Sequence, residues 1–258
     1  MNTTATAHVA PPSRLLQLLE TRAVWEFAAG LAAWPWLHLA PRGDGPPLLV
    51  QPGLVASDGS TRMLREFLTG RGHAVHGWGQ GRNYGPRPGV EAAMLATIDR
   101  LHAESGRRVS LVGQSLGGVY ARVLAAQRPD AVRCVISLGS PITGQPGGSN
   151  ASRVYTFTSG KSAHDPLRRQ RLTQALNMPA TSIYSRSDGV VAWQTSLAAE
   201  APNVENIEVV SSHVGMGGHP AVLYAVADRL AQPEGMWQPF ERRGWRKAVY
   251  PRGPRSAA

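Results

Sequence analysis

The pentapeptide Gly113-Gln114-Ser115-Leu116-Gly117 sets a serine between two glycines, directly after the apolar run 109–112. After it, Leu116, Val119, Tyr120, Val123 and Leu124 recur at i, i+3, i+4, i+7 and i+8. This pattern predicts a buried strand, a turn and an amphipathic helix. A turn that tight forces the serine into strained backbone angles, and only small residues can flank it without collision. The helix aims its N-terminus at the turn, where its dipole favours developing negative charge.

A serine hydroxyl is a weak nucleophile at neutral pH and needs a base within hydrogen-bond reach, itself oriented by an acid. In the order serine, acid, histidine, Asp188 and His213 fill the two remaining places. Asp188 follows the strand-like run 181–185 within a turn, SRSDGVV, which puts its carboxylate on the same sheet edge as Ser115. Asp130 falls at a helix-to-strand connection, on the opposite edge. His213 follows the last strand-like run, 207–210, while His219 stands six residues later at a helix start and is the alternative base. The structural readings of these residues are an Asp-Gly turn for Asp188 and packing or capping for either histidine. His164 with Asp165 forms a weaker pair that also suits a helix start. An oxyanion site needs two backbone N–H groups, and those of Leu54 and Leu116 are the candidates, with Pro52-Gly53 allowing close approach of the backbone.

Positioning these groups requires strands that alternate with helices, and apolar runs at 48–51, 74–76, 109–112, 132–138, 181–185 and 207–210 alternate with helix-like segments. Alternation of this kind implies a parallel sheet with crossover helices. Helices are expected from Asp58 or Ser60 to Gly70 or Gly72, from Val90 to Gly106, over 116–127 and over 220–230. The stretch 141–180 is long for a connection in such a domain and is read as a cap or lid, its second part, HDPLRRQRLTQAL, as a covering helix. The organisation expected is a helical leader (1–45), an α/β domain (46–232, with the cap at about 141–180) and a basic tail (233–258). Trp78, Asn83 and Tyr84, in the glycine-rich loop GWGQGRNYGP, could line an acyl pocket or pack beneath the loop.

The length of 258 residues suits one large α/β domain, and 42% hydrophobic with 17% charged residues excludes a disordered chain. The formal net charge of +10 gathers toward the last quarter, with Arg242, Arg243, Arg246, Lys247, Arg252 and Arg255. This tail is read as solvated and partly disordered; no nucleic-acid-binding motif accompanies it, so no specific nucleic-acid partner is expected. Cys134 is the only cysteine, read as a buried strand thiol, so an internal disulfide is excluded. The segment 23–40 carries Trp25, Phe27, Trp34 and Trp36 but is broken by Glu26, Pro35 and His38. It reads as a helix packed on the domain, with contact at a membrane interface as the second reading. The first twenty residues lack the features of a secretory signal, so a cytoplasmic address is expected. Dinucleotide and ATP loop motifs are absent, and the histidines do not cluster, so neither cofactor nor metal is called for.

With LLVQPGL, SLVGQSLGG, SIYSRSDGVV and SSHVGMGGHP in this order, the chain resembles the α/β-hydrolase superfamily, within it the bacterial lipase and esterase-like branch, over about residues 48–230. The resemblance implies a mostly parallel central sheet with helices on both faces and a small cap. It implies a carboxylic ester hydrolase with Ser115, His213 and Asp188 as catalytic triad and Leu54 and Leu116 as oxyanion donors, acting without a cofactor on a small-molecule ester or lipid. The H-x-G-M order after the last strand looks like the histidine turn of small bacterial lipases and favours His213 over His219. Gln51-Pro52-Gly53 departs from the His-Gly of many lipases at the oxyanion loop. An acyltransferase with the same triad, and an inactive binding module of the same fold, are the alternative functions.

Overall fold

The computed structural model describes residues 9–144, 148–150 and 166–253. Six strands form one sheet: β1 (Pro47–Gln51), β2 (Ala74–His76), β3 (Val109–Gln114), β4 (Val132–Leu138), β5 (Ala180–Tyr184) and β6 (Val204–Glu208). Their order is β2-β1-β3-β4-β5-β6, and every neighbouring pair is parallel. The chain moves from β1 outward to β2 and then returns past β1 to β3, so the direction of winding reverses between β1 and β3. In open α/β sheets the crevice at the carboxyl ends of strands around such a reversal is where ligands bind.

Both faces of the sheet are covered, and side-chain alternation along the strands divides the core accordingly. Leu49, Val109 and Leu111 join α5 (Val90–Ser105) and α6 (Leu116–Gln127) on one face. Leu48, Val50 and Val112 join α4 (Arg62–Gly70) and α8 (Pro220–Leu230) on the other. Of the short leader helices, α1 (Arg14–Leu18), α2 (Ala23–Ala32) and α3 (Trp34–Leu37), the last two pack against α8 on this second face, with Leu37 buried in its core. On the first face α7 (Pro166–Thr173) leads to Leu172 and Leu176, both buried, and the Leu172 carbonyl accepts from Arg122 Nε at 3.3 Å.

Several sequence expectations are met within a residue or two, while four differ. Strand β6 begins at Val204 rather than at Ile207. Its first half carries Glu205 and Asn206, whose side chains are held by Arg229 and by the backbone of Ala198, so hydrogen bonding rather than hydrophobicity selects these residues for the strand. Asp58 opens a 3-10 turn (Asp58–Thr61) without capping α4, and its carboxylate accepts the N–H groups of Trp78 and Gly79 at 2.7 and 2.9 Å instead. The basic tail, expected to be solvated, packs: Tyr250 is 1% exposed and donates its hydroxyl to the Ala221 carbonyl at 2.8 Å. Arg246, in α9 (Arg246–Val249), pairs with Asp228 at 3.0 Å, and its guanidinium lies 5.1 Å from the Tyr224 ring centre. The tail's positive charge is thus partly neutralised by α8, which is why a run of basic residues can fold onto the domain. Cys134, expected to be buried, is half-buried on β4. Much of the stretch read as a cap, including His164 and Asp165, lies outside the described residues.

Candidate active site

Ser115 sits between β3 and α6 with φ 53° and ψ −120°, a conformation that costs a non-glycine residue about 1–3 kcal/mol. Packing enforces it. A Cβ at Gly113 would fall into the backbone of Gly117 and Gly118, and one at Gly117 into the Gln51 carbonyl. The two glycines let α6 start close against β1 and β3, and the Ser115 N–H is held by the Leu138 carbonyl of the neighbouring strand at 2.8 Å. The serine is half-buried at the mouth of the crevice where the winding reverses.

The loop after β1 reaches the serine from the side. A side chain at Gly53 would come within 3.2 Å of Ser115 Cβ, so the glycine brings the backbone against the nucleophile position. Two residues later Val55 has φ 61°, a left-handed conformation that a β-branched residue rarely adopts. Asn83 holds this loop. Its Nδ2 donates to the Pro52 carbonyl at 2.8 Å, and its backbone exchanges hydrogen bonds with Val55 at 2.7 Å and Ala56 at 2.8 Å. Leu54 lies within this braced segment, half-buried against the core, and Leu116 opens α6, where first-turn N–H groups have no partner inside the helix.

Asp188 and His213 meet across the ends of β5 and β6. The Asp188 Oδ2 lies 2.7 Å from His213 Nδ1, with the aspartate 3% and the histidine 7% exposed. The other carboxylate oxygen accepts the N–H groups of Val190 and Val191 at 2.8 and 2.7 Å. One oxygen therefore makes the turn that an Asp-Gly pair implies while the other orients the imidazole, so the two readings of Asp188 coexist. Burial opposes a charge on His213, but the adjacent Asp188 carboxylate, its hydrogen bond and the nearby Glu20 carboxylate outweigh burial and raise the imidazole above its ordinary range.

One hydrogen bond and one close approach link the loops of this pair to the serine turn. Gln114, next to Ser115, donates its Nε2 to the His213 carbonyl at 2.9 Å. Gly139, which follows the Leu138 that holds Ser115, leaves room where a Cβ would stand 3.1 Å from Asp188 Oδ2 and 3.2 Å from His213 Nδ1. His219 is placed elsewhere: it caps α8, its Nδ1 accepting the Ala221 N–H at 3.2 Å, and burial holds its imidazole below the usual value. Trp78 is buried by packing, and Asn83 is buried while bracing the loop after β1. Trp78 stands edge-on to Tyr120 with ring centres 5.6 Å apart, and Tyr84 is half-buried beneath the Arg87 guanidinium.

The leader contributes contacts that the sequence reading missed. Glu20 Oε1 accepts the N–H of Gly189 at 2.8 Å and of His213 at 2.9 Å, and Oε2 accepts that of Val214 at 2.9 Å. Glu26 receives the Ser212 N–H at 2.8 Å and the hydroxyls of Ser211 and Ser212 at 3.0 and 2.7 Å. Burial works against ionisation of Glu26, yet these bonds and that from Arg22 hold its carboxyl below the usual range. Arg22 extends to Ser187 as well, at 2.7 Å to its carbonyl. The available signal was two acids, Glu20 and Glu26, in the largely apolar stretch 15–40, which a helix merely packed on a domain does not need.

No family model matches the chain. The solved structures it resembles include Aspergillus fumigatus lipase B, with a TM-score of 0.58, 16% identity, and coverage of 73% of this chain and 52% of that one. The chain thus spans about half the length of that lipase. They also include an alpha/beta superfamily hydrolase from Oenococcus oeni PSU-1 (TM-score 0.54, 18% identity, 71% of this chain and 91% of that one). A third is Paleococcus ferrophilus monoacylglycerol lipase (TM-score 0.51, 17% identity, 72% and 96%). With its parallel six-stranded sheet, helices on both faces, and serine turn at the winding reversal, the chain has the α/β-hydrolase fold.

Proposed function

We propose that the chain is a serine hydrolase that cleaves a carboxylic ester, with Ser115 as nucleophile, His213 as general base and acid, and Asp188 as the group that orients and stabilises the imidazolium. The observation that carries this reading is the 2.7 Å contact between Asp188 Oδ2 and His213 Nδ1, with the histidine loop bonded to Gln114 beside a serine held at φ 53°. With Nδ1 engaged by the aspartate, Nε2 is the nitrogen left to take the Ser115 proton. The alkoxide attacks the ester carbonyl, and the carbonyl oxygen gathers negative charge, for which the N–H groups of Leu54 and Leu116 are the proposed donors. Collapse of the tetrahedral intermediate expels the alcohol with the proton from His213. Water activated by the same histidine then attacks the acyl-serine and releases the acid.

An ester with a lipid-like acyl group is the proposed substrate class, supported by the lipase names of two of the similar structures. The deciding experiment is hydrolysis of p-nitrophenyl esters from acetyl to palmitoyl by the purified protein, beside Ser115→Ala. A loss on the order of a million-fold, as when a serine protease loses its nucleophile, is the expected result. Equal rates for the two proteins would sink the proposal, as would failure of Ser115 to react with a fluorophosphonate.

A further inference from the structure

The leader helices carry their polarity inside out. In α2, Ala23, Glu26, Phe27 and Gly30 turn toward the domain, and Glu26 is fully engaged there. The opposite side presents two adjacent stripes at helical spacing, Val24, Ala28 and Leu31 beside Trp25, Ala29 and Ala32, all exposed and none charged. A helix on the surface of a water-soluble domain normally shows the reverse arrangement, with its polar side outward.

We propose that this outward side of the leader docks on an anionic lipid surface. Leu18, Val24, Trp25, Leu31, Trp36 and Leu39 are each between 64% and 78% exposed. Tryptophan and large aliphatics on one side of a short helix match the boundary between headgroups and acyl chains, where an apolar side sinks about 5–10 Å. Among the described residues no helix is long and apolar enough to cross a membrane, so the leader lies on the surface and does not span it.

Charge selects the kind of surface. Within residues 14–42 the two acids, Glu20 and Glu26, face inward and are occupied by backbone and serine donors, while Arg14 and Arg42, at the two ends, are exposed; Asp44, just beyond, is paired with Arg107 at 2.5 Å. The face left outward is therefore apolar with cations at its margins, on a chain whose formal net charge is +10. Anionic headgroups attract such a surface. Val214, also exposed, has its N–H bonded to Glu20, which ties the histidine loop to the leader.

The test is flotation of full-length protein bearing Ser115→Ala, so that no turnover intervenes, with vesicles of equal parts phosphatidylcholine and phosphatidylglycerol or of phosphatidylcholine alone. Binding to the anionic vesicles, weakened at about 0.5 M salt, is expected. Adding Trp25→Glu and Trp36→Glu is expected to weaken it by roughly tenfold or more, with an unchanged thermal midpoint as evidence that the domain is intact. Absence of binding, or equal binding by the Trp25→Glu, Trp36→Glu protein, would overturn the proposal. So would gel filtration showing a dimer that the two substitutions dissociate without any vesicle binding, since the face would then cover a second copy. None of these readouts depends on ester hydrolysis, so the docking proposal and the hydrolase reading fail separately.

Discussion

The carboxylate of Glu20 accepts the backbone N–H of His213 at 2.9 Å, and the same oxygen accepts that of Gly189, the residue after Asp188, at 2.8 Å. One side chain from the leader thus ties the acid loop to the histidine loop, although neither loop is near it in sequence. Hydrogen bonds to a charged group are each worth about 1.5–3 kcal/mol. Loss of the carboxylate therefore frees the two loops whose alignment sets the 2.7 Å contact between Asp188 and His213.

Glu20→Ala is expected to lower kcat for a p-nitrophenyl ester roughly 10- to 100-fold, the rate equivalent of one such bond. Glu20→Gln separates geometry from charge. His213 acts as a base only when neutral, so activity falls as pH drops through its pKa, which the Asp188 and Glu20 carboxylates raise. Removing the Glu20 charge lowers that pKa and moves the acid limb of kcat/KM to lower pH. A pH profile with reduced height and an unmoved limb would assign Glu20 a structural role alone.

The two histidines are expected to separate cleanly. His219→Asn preserves an N-cap side chain at the start of α8 and should leave kcat within a few-fold of the parent. His213→Ala should abolish activity by a factor on the order of a million. Steady-state rates of the two variants decide between them, and the opposite ranking would move the base to His219.

Asn83→Ala removes the 2.8 Å bond to the Pro52 carbonyl and leaves that buried group unpaired, at a cost of about 1–3 kcal/mol in denaturant unfolding. Because the same asparagine braces the loop beside Ser115, kcat should fall more than KM rises. Unchanged kcat would mean that the loop keeps its shape without Asn83.

Tyr250→Ala tests whether the tail belongs to the folded unit. The ring is 1% exposed and stands 4.7 Å from the Phe240 ring centre, so truncation should destabilise the protein by about 3–5 kcal/mol, as for other buried aromatics. Chemical denaturation reads the change directly, and a shift below 1 kcal/mol would mark the tail as an accessory.

Local pattern carried most of the scaffold and the candidate residues. The apolar runs and the glycine-flanked serine are short-range signals, since a tight strand-to-helix turn imposes its steric demands within five residues. For that reason α6 runs from Leu116 to Gln127, as the periodicity predicts, and Gly106, where α5 was expected to end, is its left-handed cap. Asp188 and His213 were legible because each follows a strand at the same sheet edge, although only the tertiary structure brought them to 2.7 Å and gave His219 to a helix cap. Glu20, Glu26 and Asn83 carried no comparable signal. Each acts on backbone groups far along the chain, and a carboxylate that accepts N–H groups 169 and 193 residues away leaves no spacing to be read. Whether Arg246 and Tyr250 meet solvent or a neighbour was likewise decided by the fold, because Asp228 and Tyr224, the partners of Arg246, and Ala221, the partner of Tyr250, come within reach only when α8 is in place.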